Sequence, residues 1–311
     1  MQSHQTNWIE YFSSAGHRDV VPLAAGMEGA VYRLGQGLIG KAWGRREAAE
    51  LKRLQEFYAD VSTAGLSFAT PQILEVREVE GTSVTIEQEL AGRPLKQLVR
   101  DGMPPGADEA VVEALRGLAS VPATPAMRQL AVLDEPTPLW DGAESWPVAL
   151  NGLLHRRIAA FGYQLRTAVV DFDDMFSQVA ELIARQGDRP QSVVHGDVCL
   201  ENILVDDELR LTALLDFGFL SGAGDPAWDA SIAAGIVDMY GPHAREIDDR
   251  LTARVAREFA YPMELLLGYR AAYGIAASNA YDPNGADGHF AWCAAVLGRK
   301  DVRETLGVVA V

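Results

Sequence analysis

Cysteine, basic residues and long apolar runs are all scarce in this 311-residue chain. Its two cysteines, Cys199 and Cys293, are too few for a disulfide framework or for a metal site built from cysteines. The 27 Lys and Arg residues are outnumbered by 43 Asp and Glu residues, which gives a formal charge of −16. Such a charge opposes general binding to nucleic acid or to an anionic membrane, because both are polyanions.

Apolar segments of bilayer-spanning length are missing, and no secretory signal precedes the first polar and acidic residues. We therefore expect a cytoplasmic protein without a membrane partner, and no feature indicates an obligate protein partner. The length is sufficient for two lobes or domains that together bury a large core. The acidic balance suits a cationic small-molecule partner, although the same charge serves solubility equally well.

The first part of the chain has the pattern of a small sheet. Short apolar runs separated by Gly-containing turns predict strands. These runs are Val20–Leu23, Ala30–Leu34, Leu38–Trp43, Gln72–Val79 and Ser83–Leu90. One helix is predicted between them, over Arg45–Tyr58, where apolar residues recur about once per turn.

Most of the chain beyond this sheet has helical periodicity. Gly92 and Pro94 end the strand pattern and fit a connector between two lobes. Helices, with breaks at positions that the periodicity does not fix, are predicted over Ala107–Ser120, Trp146–Gln164, Asp171–Gln186, Trp228–Met239, Ala253–Ala280 and Phe290–Leu297. We predict an α+β fold with two lobes, a small antiparallel-sheet lobe with one helix over 1–90 and a larger, mostly helical lobe over 91–311. The hinge is expected at about 88–94.

The most informative motif begins at His195-Gly196-Asp197 and reaches Asn202, and Asp216-Phe217-Gly218 follows after another apolar run. Phosphoryl transfer from a nucleotide needs a carboxylate to receive the proton of the acceptor hydroxyl, and oxygen ligands to hold Mg²⁺. Asp197 fits the first role, while Asn202 and Asp216 fit the second. We expect His195 to order the loop by hydrogen bonds. The set predicts a kinase.

Lys41 is a single charge within the apolar run Ile39–Trp43, where it needs either an acidic partner or a phosphate. The expected partner is Glu47 on the following helix, with Glu50 one turn further as the alternative. Gly26 and Gly29 flank a turn between two predicted strands. Their lack of a side chain would let the backbone approach nucleotide phosphates.

With these residues in this order, the chain resembles the aminoglycoside phosphotransferase and choline-kinase-like family, relatives of protein kinases that phosphorylate small molecules. The resemblance covers nearly the whole length, and among antibiotic kinases it is closest to the hygromycin- or viomycin-type enzymes. A protein kinase is disfavoured, because Gly196 stands where those enzymes usually carry Arg and no Ala-Pro-Glu element follows Asp216.

The resemblance implies a bilobal protein-kinase-like fold, ATP or GTP as the phosphate donor, and Mg²⁺ as a cofactor. It implies that Asp197 is the catalytic base and that Asn202 and Asp216 are the metal ligands. In the sheet lobe it implies that Lys41 pairs with Glu47 and that backbone groups of three hinge residues meet the adenine. Those hinge residues are Gln88, Glu89 and Leu90. Asp229, in the element Gly224–Asp229, is expected to anchor a helix and the loop.

Binding of an aminoglycoside, a polycation, would need carboxylates around the acceptor site. The candidates in the helical lobe are Glu144, Asp171, Asp173, Asp174, Asp238, Asp282 and Asp287. Aromatic residues of the Trp140–Trp146 region and of the Tyr281–Phe290 loop can stack on sugars or cations.

The expected activity is transfer of the nucleotide γ-phosphate to a hydroxyl of an aminoglycoside or a related basic antibiotic. One alternative is a metabolite kinase of the choline, homoserine, thiosugar or fructosamine type. Another is a non-catalytic, pseudokinase-like binding protein.

Overall fold

The computed structural model describes residues 6–26, 29–100, 102–133, 135–187, 189–217 and 219–308. The chain divides into two compact units. The first extends to Gly92 and also includes Thr212–Leu215, and the second comprises Arg93–Leu211 and the chain from Asp216 onward. The chain passes from the first unit to the second within the segment that we predicted as the hinge.

The first unit contains an antiparallel sheet of five strands in the order β1-β2-β3-β5-β4. The strands are β1 (Val21–Gly26), β2 (Gly29–Gly35), β3 (Leu38–Trp43), β4 (Ile73–Val79) and β5 (Thr82–Gln88). They confirm the five predicted strands to within a few residues. Glu80 and Gly81, with φ of 51° and 80°, form the hairpin turn between β4 and β5.

Two helices belong to the first unit, α1 (Trp8–Ser14) and α2 (Ala48–Ser62). The predicted helix corresponds to α2, which buries Leu51, Leu54 and Phe57 and packs on β4 and β5. The structure adds α1, whose Phe12 is buried in a cluster with Leu34, Val84 and Ile86. One face of the sheet is therefore covered by an N-terminal helix.

The second unit is built around helices. They are α3 (Ala107–Ala119), α4 (Trp146–Ala168), α5 (Phe172–Arg185), α6 (Pro226–Ile236), α7 (Ala244–Glu258), α8 (Met263–Ala277), α9 (Gly288–Gly298) and α10 (Lys300–Thr305). The segment Ala253–Ala280, predicted to be helical with breaks at positions that the sequence does not fix, is divided between α7 and α8. Ala260 has a left-handed φ of 53°, and Pro262 caps α8, so the chain turns between them. Helix α8 is buried over nearly its whole surface and packs against α4, α5, α6 and α9.

Short strands surround the predicted catalytic motif. They are β6 (Arg93–Pro94), β7 (Ser192–Val194), β8 (Ile203–Val205), β9 (Leu211–Leu214) and β10 (Gly222–Gly224). Strand β7 pairs with β10, and β6 pairs with β8. Strands β8 and β9 stand on either side of the polar residues Asp206, Asp207 and Glu208. No helix in the described ranges has both the length and the apolar character that a bilayer crossing requires.

Candidate active site

The loop that follows β7 is anchored to α6 by one buried carboxylate. The N–H of His195 donates to Asp229 Oδ2 at 3.0 Å, and the N–H of Gly196 donates to Asp229 Oδ1 at 2.8 Å. Asp229 lies in the first turn of α6. Burial raises its pKa to about 6, although the two N–H donors act in the opposite direction. Both carboxylate oxygens are thus used to fix the start of the loop.

Gly196 allows the loop to turn sharply against the chain that precedes β10. Its φ is +75°, and a Cβ at this position would lie 2.6 Å from Leu220 Cβ. The same region is closed by a hydrogen bond from Ser221 Oγ to the His195 carbonyl oxygen at 2.6 Å. A side chain at position 196 would therefore be excluded both by conformation and by space.

Asp197 and Asn202 are in direct contact across the loop. Asn202 Nδ2 donates to the Asp197 carbonyl oxygen at 2.9 Å and to Asp197 Oδ2 at 3.1 Å. The loop between them is closed by a hydrogen bond from the Cys199 N–H to the Asp197 carbonyl oxygen at 2.9 Å. Because the amide nitrogen of Asn202 points at Asp197, its Oδ1 is the atom left for a cation.

Asp216 stands shortly after β9 with an exposed side chain and a left-handed φ of 46°. The next residue, Phe217, is buried, with its ring centroid 4.3 Å from that of His195. Gly218 of the predicted motif lies outside the described residues. The donor set of Asn202 Oδ1 and the Asp216 carboxylate suits Mg²⁺, which takes oxygen ligands and is commonly held by one or two side chains together with substrate phosphates. In the described ranges, no group of three or more His, Cys, Asp or Glu side chains could hold a metal ion.

Lys41, in the first unit, has an acidic neighbour that the sequence analysis missed. Its Nζ lies 3.4 Å from Glu87 Oε2, on the adjacent strand β5. Glu47 caps the start of α2, and its N–H donates to Glu50 Oε2 at 3.0 Å. The period-2 pattern Ser83, Thr85, Glu87 was the available signal, since it places Glu87 on the polar face of β5.

Two of the three predicted adenine-binding residues already use their N–H groups within the protein. The N–H of Gln88 donates to the Gln72 carbonyl oxygen at 3.1 Å, and that of Glu89 donates to the Gly37 carbonyl oxygen at 2.8 Å. Recognition of a base by this segment would therefore involve its carbonyl groups or the N–H of Leu90.

Gly26 and Gly29 are paired with each other at the ends of β1 and β2. Residues 27 and 28 of this turn lie outside the described ranges. A Cβ on Gly29 would overlap the Ala42 carbonyl oxygen, so this glycine is required by the close approach of β3. Gly26 has open space where a Cβ would be.

A sequence model of the phosphotransferase enzyme family matches residues 19–283. The chain belongs to this family. The prediction of a small-molecule phosphotransferase, which the family resemblance implied, is thereby confirmed. A comparison with curated proteins finds no match.

Solved structures of phosphotransferases share the fold at low sequence identity. Aminoglycoside phosphotransferase APH(3'')-Id from Streptomyces rimosus has a TM-score of 0.56 at 17% identity, covering 85% of this chain and 97% of that one. Macrolide 2'-phosphotransferase MphH from Brachybacterium faecium has a TM-score of 0.60 at 16% identity, covering 93% and 97%. APH(2'')-IIIa, in its complex with GDP and kanamycin, has a TM-score of 0.59 at 12% identity, covering 94% and 97%. The predicted protein-kinase-like α+β fold is confirmed.

Four of the acidic residues predicted to bind an acceptor already have partners in this phosphotransferase. Asp238 is buried, and Lys96 Nζ lies 3.0 Å from its Oδ1 and 3.7 Å from Glu201 Oε1 in the catalytic loop. Asp171 lies 3.3 Å from Arg303, and Asp173 lies 2.9 Å from Arg166. Asp282 accepts the N–H groups of Asn284 and Ala286, which lower its pKa.

Two further candidates, Glu144 and Asp174, lie near helix starts. Glu144 is exposed just before α4. Asp174 is in the first turn of α5 and lines a recess of about 320 Å³. The lining residues of this recess are Arg166, Val169, Val170, Asp171, Phe172, Asp173 and Asp174. No residue of the catalytic loop belongs to it.

A group of aromatic side chains in the second unit, here called the aromatic patch, comprises Phe219, Tyr240, Tyr281 and His289. Tyr281 stacks on Phe219 with ring centroids 5.6 Å apart, and its centroid lies 5.0 Å from that of His289. Tyr240 Oη and His289 Nδ1 are 3.4 Å apart. Tyr240 and Tyr281 are exposed, whereas His289 is buried and its pKa is lowered by that burial. The predicted loop Tyr281–Phe290 contributes to the patch, but Phe219 and Tyr240 were missed.

The buried Tyr273 packs beside the aromatic patch, with its ring centroid 6.2 Å from that of His289. Burial is the main cause that raises its pKa, and Cys293, Asp197, Tyr281 and Tyr240 contribute in the same direction.

Proposed function

We propose that this phosphotransferase transfers the γ-phosphate of ATP or GTP to a hydroxyl group of an aminoglycoside or a related basic antibiotic. The observation that carries the proposal is the geometry of Asp197, which is held by Asn202 within a loop fixed to α6 by Asp229. Family membership supports the phosphotransfer chemistry. The acceptor class rests on the charge of the chain and on the aromatic patch.

Asp197 is the proposed catalytic base. In the transfer, the acceptor oxygen forms a bond to the γ-phosphorus, and the bond to the β–γ bridging oxygen breaks with release of the nucleoside diphosphate. The proton of the acceptor hydroxyl passes to the Asp197 carboxylate. Asn202 supports this role because its amide donates to Asp197 Oδ2 and so orients the carboxylate.

The same loop would hold Mg²⁺ through Asn202 Oδ1 together with the Asp216 carboxylate. When bound there, the ion would neutralise charge on the nucleotide phosphates. A donor nucleotide fits the solved relatives, since one was determined with ADP and streptomycin and another with ATP and streptomycin. Lys41 is the proposed phosphate contact in the first unit.

The acceptor is proposed to bind at the aromatic patch. The exposed ring of Tyr281 offers a stacking surface for a sugar. Asp287, at the start of α9, uses Oδ1 to accept the N–H of Phe290 at 2.7 Å. Its Oδ2 is buried and has no hydrogen-bond partner among the described residues. A buried carboxylate oxygen of this kind would suit an amino group on the acceptor. The formal charge of −16 would also attract a basic acceptor.

The test is nucleotide turnover by the purified protein with Mg²⁺ across aminoglycosides, macrolides, peptide antibiotics and small metabolites, with mass spectrometry of each acceptor. We expect a mass gain of one phosphate on a basic antibiotic. Tyr281→Ala should then raise KM for that acceptor about tenfold with little change in KM for the nucleotide.

Two other outcomes would contradict parts of the proposal. Phosphorylation of a metabolite alone would place the enzyme among metabolite kinases with the same chemistry. Nucleotide binding without transfer to any acceptor in the panel would favour a pseudokinase-like binding protein.

A further inference from the structure

Glu87 is a buried acid in the middle of the sheet lobe. Its side chain is 5% exposed, while that of Lys41 is 17% exposed. A buried carboxylate is costly unless it is paired and hydrogen-bonded. The neighbourhood of Glu87 therefore has to supply both a positive charge and a hydrogen-bond donor.

Side chains of β3 and β5 supply both. Lys41 is the register partner of Thr85, and Glu87 is two residues further along β5, on the same face of the sheet. Glu87 Oε2 lies 3.4 Å from Lys41 Nζ, and Glu87 Oε1 accepts a hydrogen bond from Thr85 Oγ1 at 2.7 Å.

The chain of contacts continues to Trp43 and returns to the lysine. Trp43 Nε1 donates to Thr85 Oγ1 at 2.9 Å, so the Thr85 hydroxyl is both an acceptor and a donor. Lys41 Nζ lies 5.4 Å from the centroid of the Trp43 ring, within cation–π distance. Thr85 is fully buried and Trp43 nearly so. Four side chains thus hold one another in place inside the sheet.

Glu47 and Glu50, the acids at the start of α2, stabilise that helix. Glu50 accepts the N–H of Glu47 at 3.0 Å, which is the returning half of a capping box that stabilises the helix start. An interaction of Lys41 with these acids would need them to serve two roles, whereas Glu87 is already held towards Lys41 by Thr85.

We infer that Glu87 is the residue that positions Lys41 for the nucleotide, and that this positioning is set by the β3–β5 register and not by α2. The inference rests on the proposed function, since it takes Lys41 to be the phosphate contact. Because strand register is fixed by the whole sheet, Lys41 is held in its binding geometry whatever the position of the α2 N-terminus.

The experiment measures the Kd of Mg·ATP by calorimetry and the KM and kcat of turnover for single and double variants. Glu87→Gln should weaken nucleotide binding about tenfold and lower kcat, because the charged partner that orients Lys41 is lost. Thr85→Val, which removes the hydroxyl at nearly constant volume, should have a smaller effect in the same direction. Glu75→Gln, at an exposed ion pair with Arg77 on β4, is the matched control and should bind as wild type does.

A double-mutant cycle separates positioning from general damage to the sheet. If Glu87 acts through Lys41, Glu87→Gln should change nucleotide binding by less than twofold when Lys41 is already Met. Additive losses in the double variant would show that Glu87 acts independently of the lysine, and this would overturn the inference. Urea unfolding of each variant checks that the sheet remains folded.

The competing partner is tested in the same assay with Glu47→Gln and Glu50→Gln. The inference predicts that each of these weakens nucleotide binding less than Glu87→Gln does. A larger effect from Glu47→Gln would assign the pairing to α2 and overturn the inference. If the wild-type protein bound no nucleotide, the proposed function itself would fail, which is a distinguishable outcome.

Discussion

At the scale of single residues, Asp229 is a carboxylate whose burial costs the fold free energy. Its carboxyl group is fully buried, and no positive charge is among the causes that shift its pKa. The group must stay ionised to accept two N–H groups. Its pKa is raised from 3.8 to about 6, so the folded protein binds this proton more tightly than the unfolded chain does. The contribution to stability is therefore fully present below about pH 3.8 and is lost as the pH rises through about 6. The loss is on the order of 3 kcal/mol.

The rate of phosphoryl transfer should instead increase as the pH rises through about 6. Below that pH, Asp229 is protonated, and one of its oxygens becomes a hydrogen-bond donor where an acceptor is needed. Asp229→Asn has the same defect at every pH, since its amide nitrogen faces an N–H group. We expect phosphoryl transfer by this variant to fall at least about tenfold.

Measured against the Asp229→Asn variant, the wild-type free energy of unfolding should decline as the pH rises from about 4 to about 7. Urea unfolding at several pH values checks this, and a pH-independent difference between the two proteins would contradict it.

The sequence places Asp197 and Asn202 in one short loop, and the structure adds that their side chains are hydrogen-bonded. The anchoring role of Asp229 was implied by the family resemblance, and its two hydrogen bonds to the loop agree with that role. Glu87 was missed for a physical reason. Its significance depends on which strand lies beside β5, and that pairing is a long-range property that strand patterns do not specify.

At the scale of elements, the docking of α1 depends on the absence of a side chain in β3. A Cβ on Gly40 would lie 2.6 Å from Phe12 Cζ and 3.1 Å from Leu34 Cδ1. Gly40→Ala should therefore lower the free energy of unfolding by about 1–3 kcal/mol, as overpacking of a core does. Urea unfolding provides the measurement. Gly298→Ala, where a Cβ meets nothing within 4 Å, is the control and should change stability by no more than about 0.5 kcal/mol. Equal stability of Gly40→Ala and wild type would show that α1 is not packed as described.

The elements that the sequence predicted are those with clear periodicity over several residues. Helix α1 was missed because seven residues with adjacent aromatics give no distinct helical stripe. Strands β7 and β10, three residues each, are too short for any alternation to be recognised. The position of the break between α7 and α8 could not be fixed from the sequence, because apolar spacing continues on both sides of Pro262.

At the scale of the whole molecule, the order of the motifs carried the assignment. The order along the chain is Lys41, then the loop from His195 to Asn202, then Asp216, as expected for a phosphotransferase. The family match spans both units. The acceptor was harder to predict, because acids such as Asp238 and Asp171 are used in ion pairs within the fold. A negative charge in the sequence does not reveal whether it faces a ligand or a neighbouring arginine or lysine.

The central claim is that Asp197 acts as the base in transfer of the γ-phosphate to an acceptor hydroxyl. The most direct measurement is a rapid-quench assay with γ-labelled ATP, Mg²⁺ and the phosphorylated acceptor identified by the panel, comparing wild type with Asp197→Asn. We predict that the transfer rate falls by about 10² to 10⁴-fold in the variant while the Kd of Mg·ATP changes by less than about threefold. Transfer by Asp197→Asn at the wild-type rate would contradict the account.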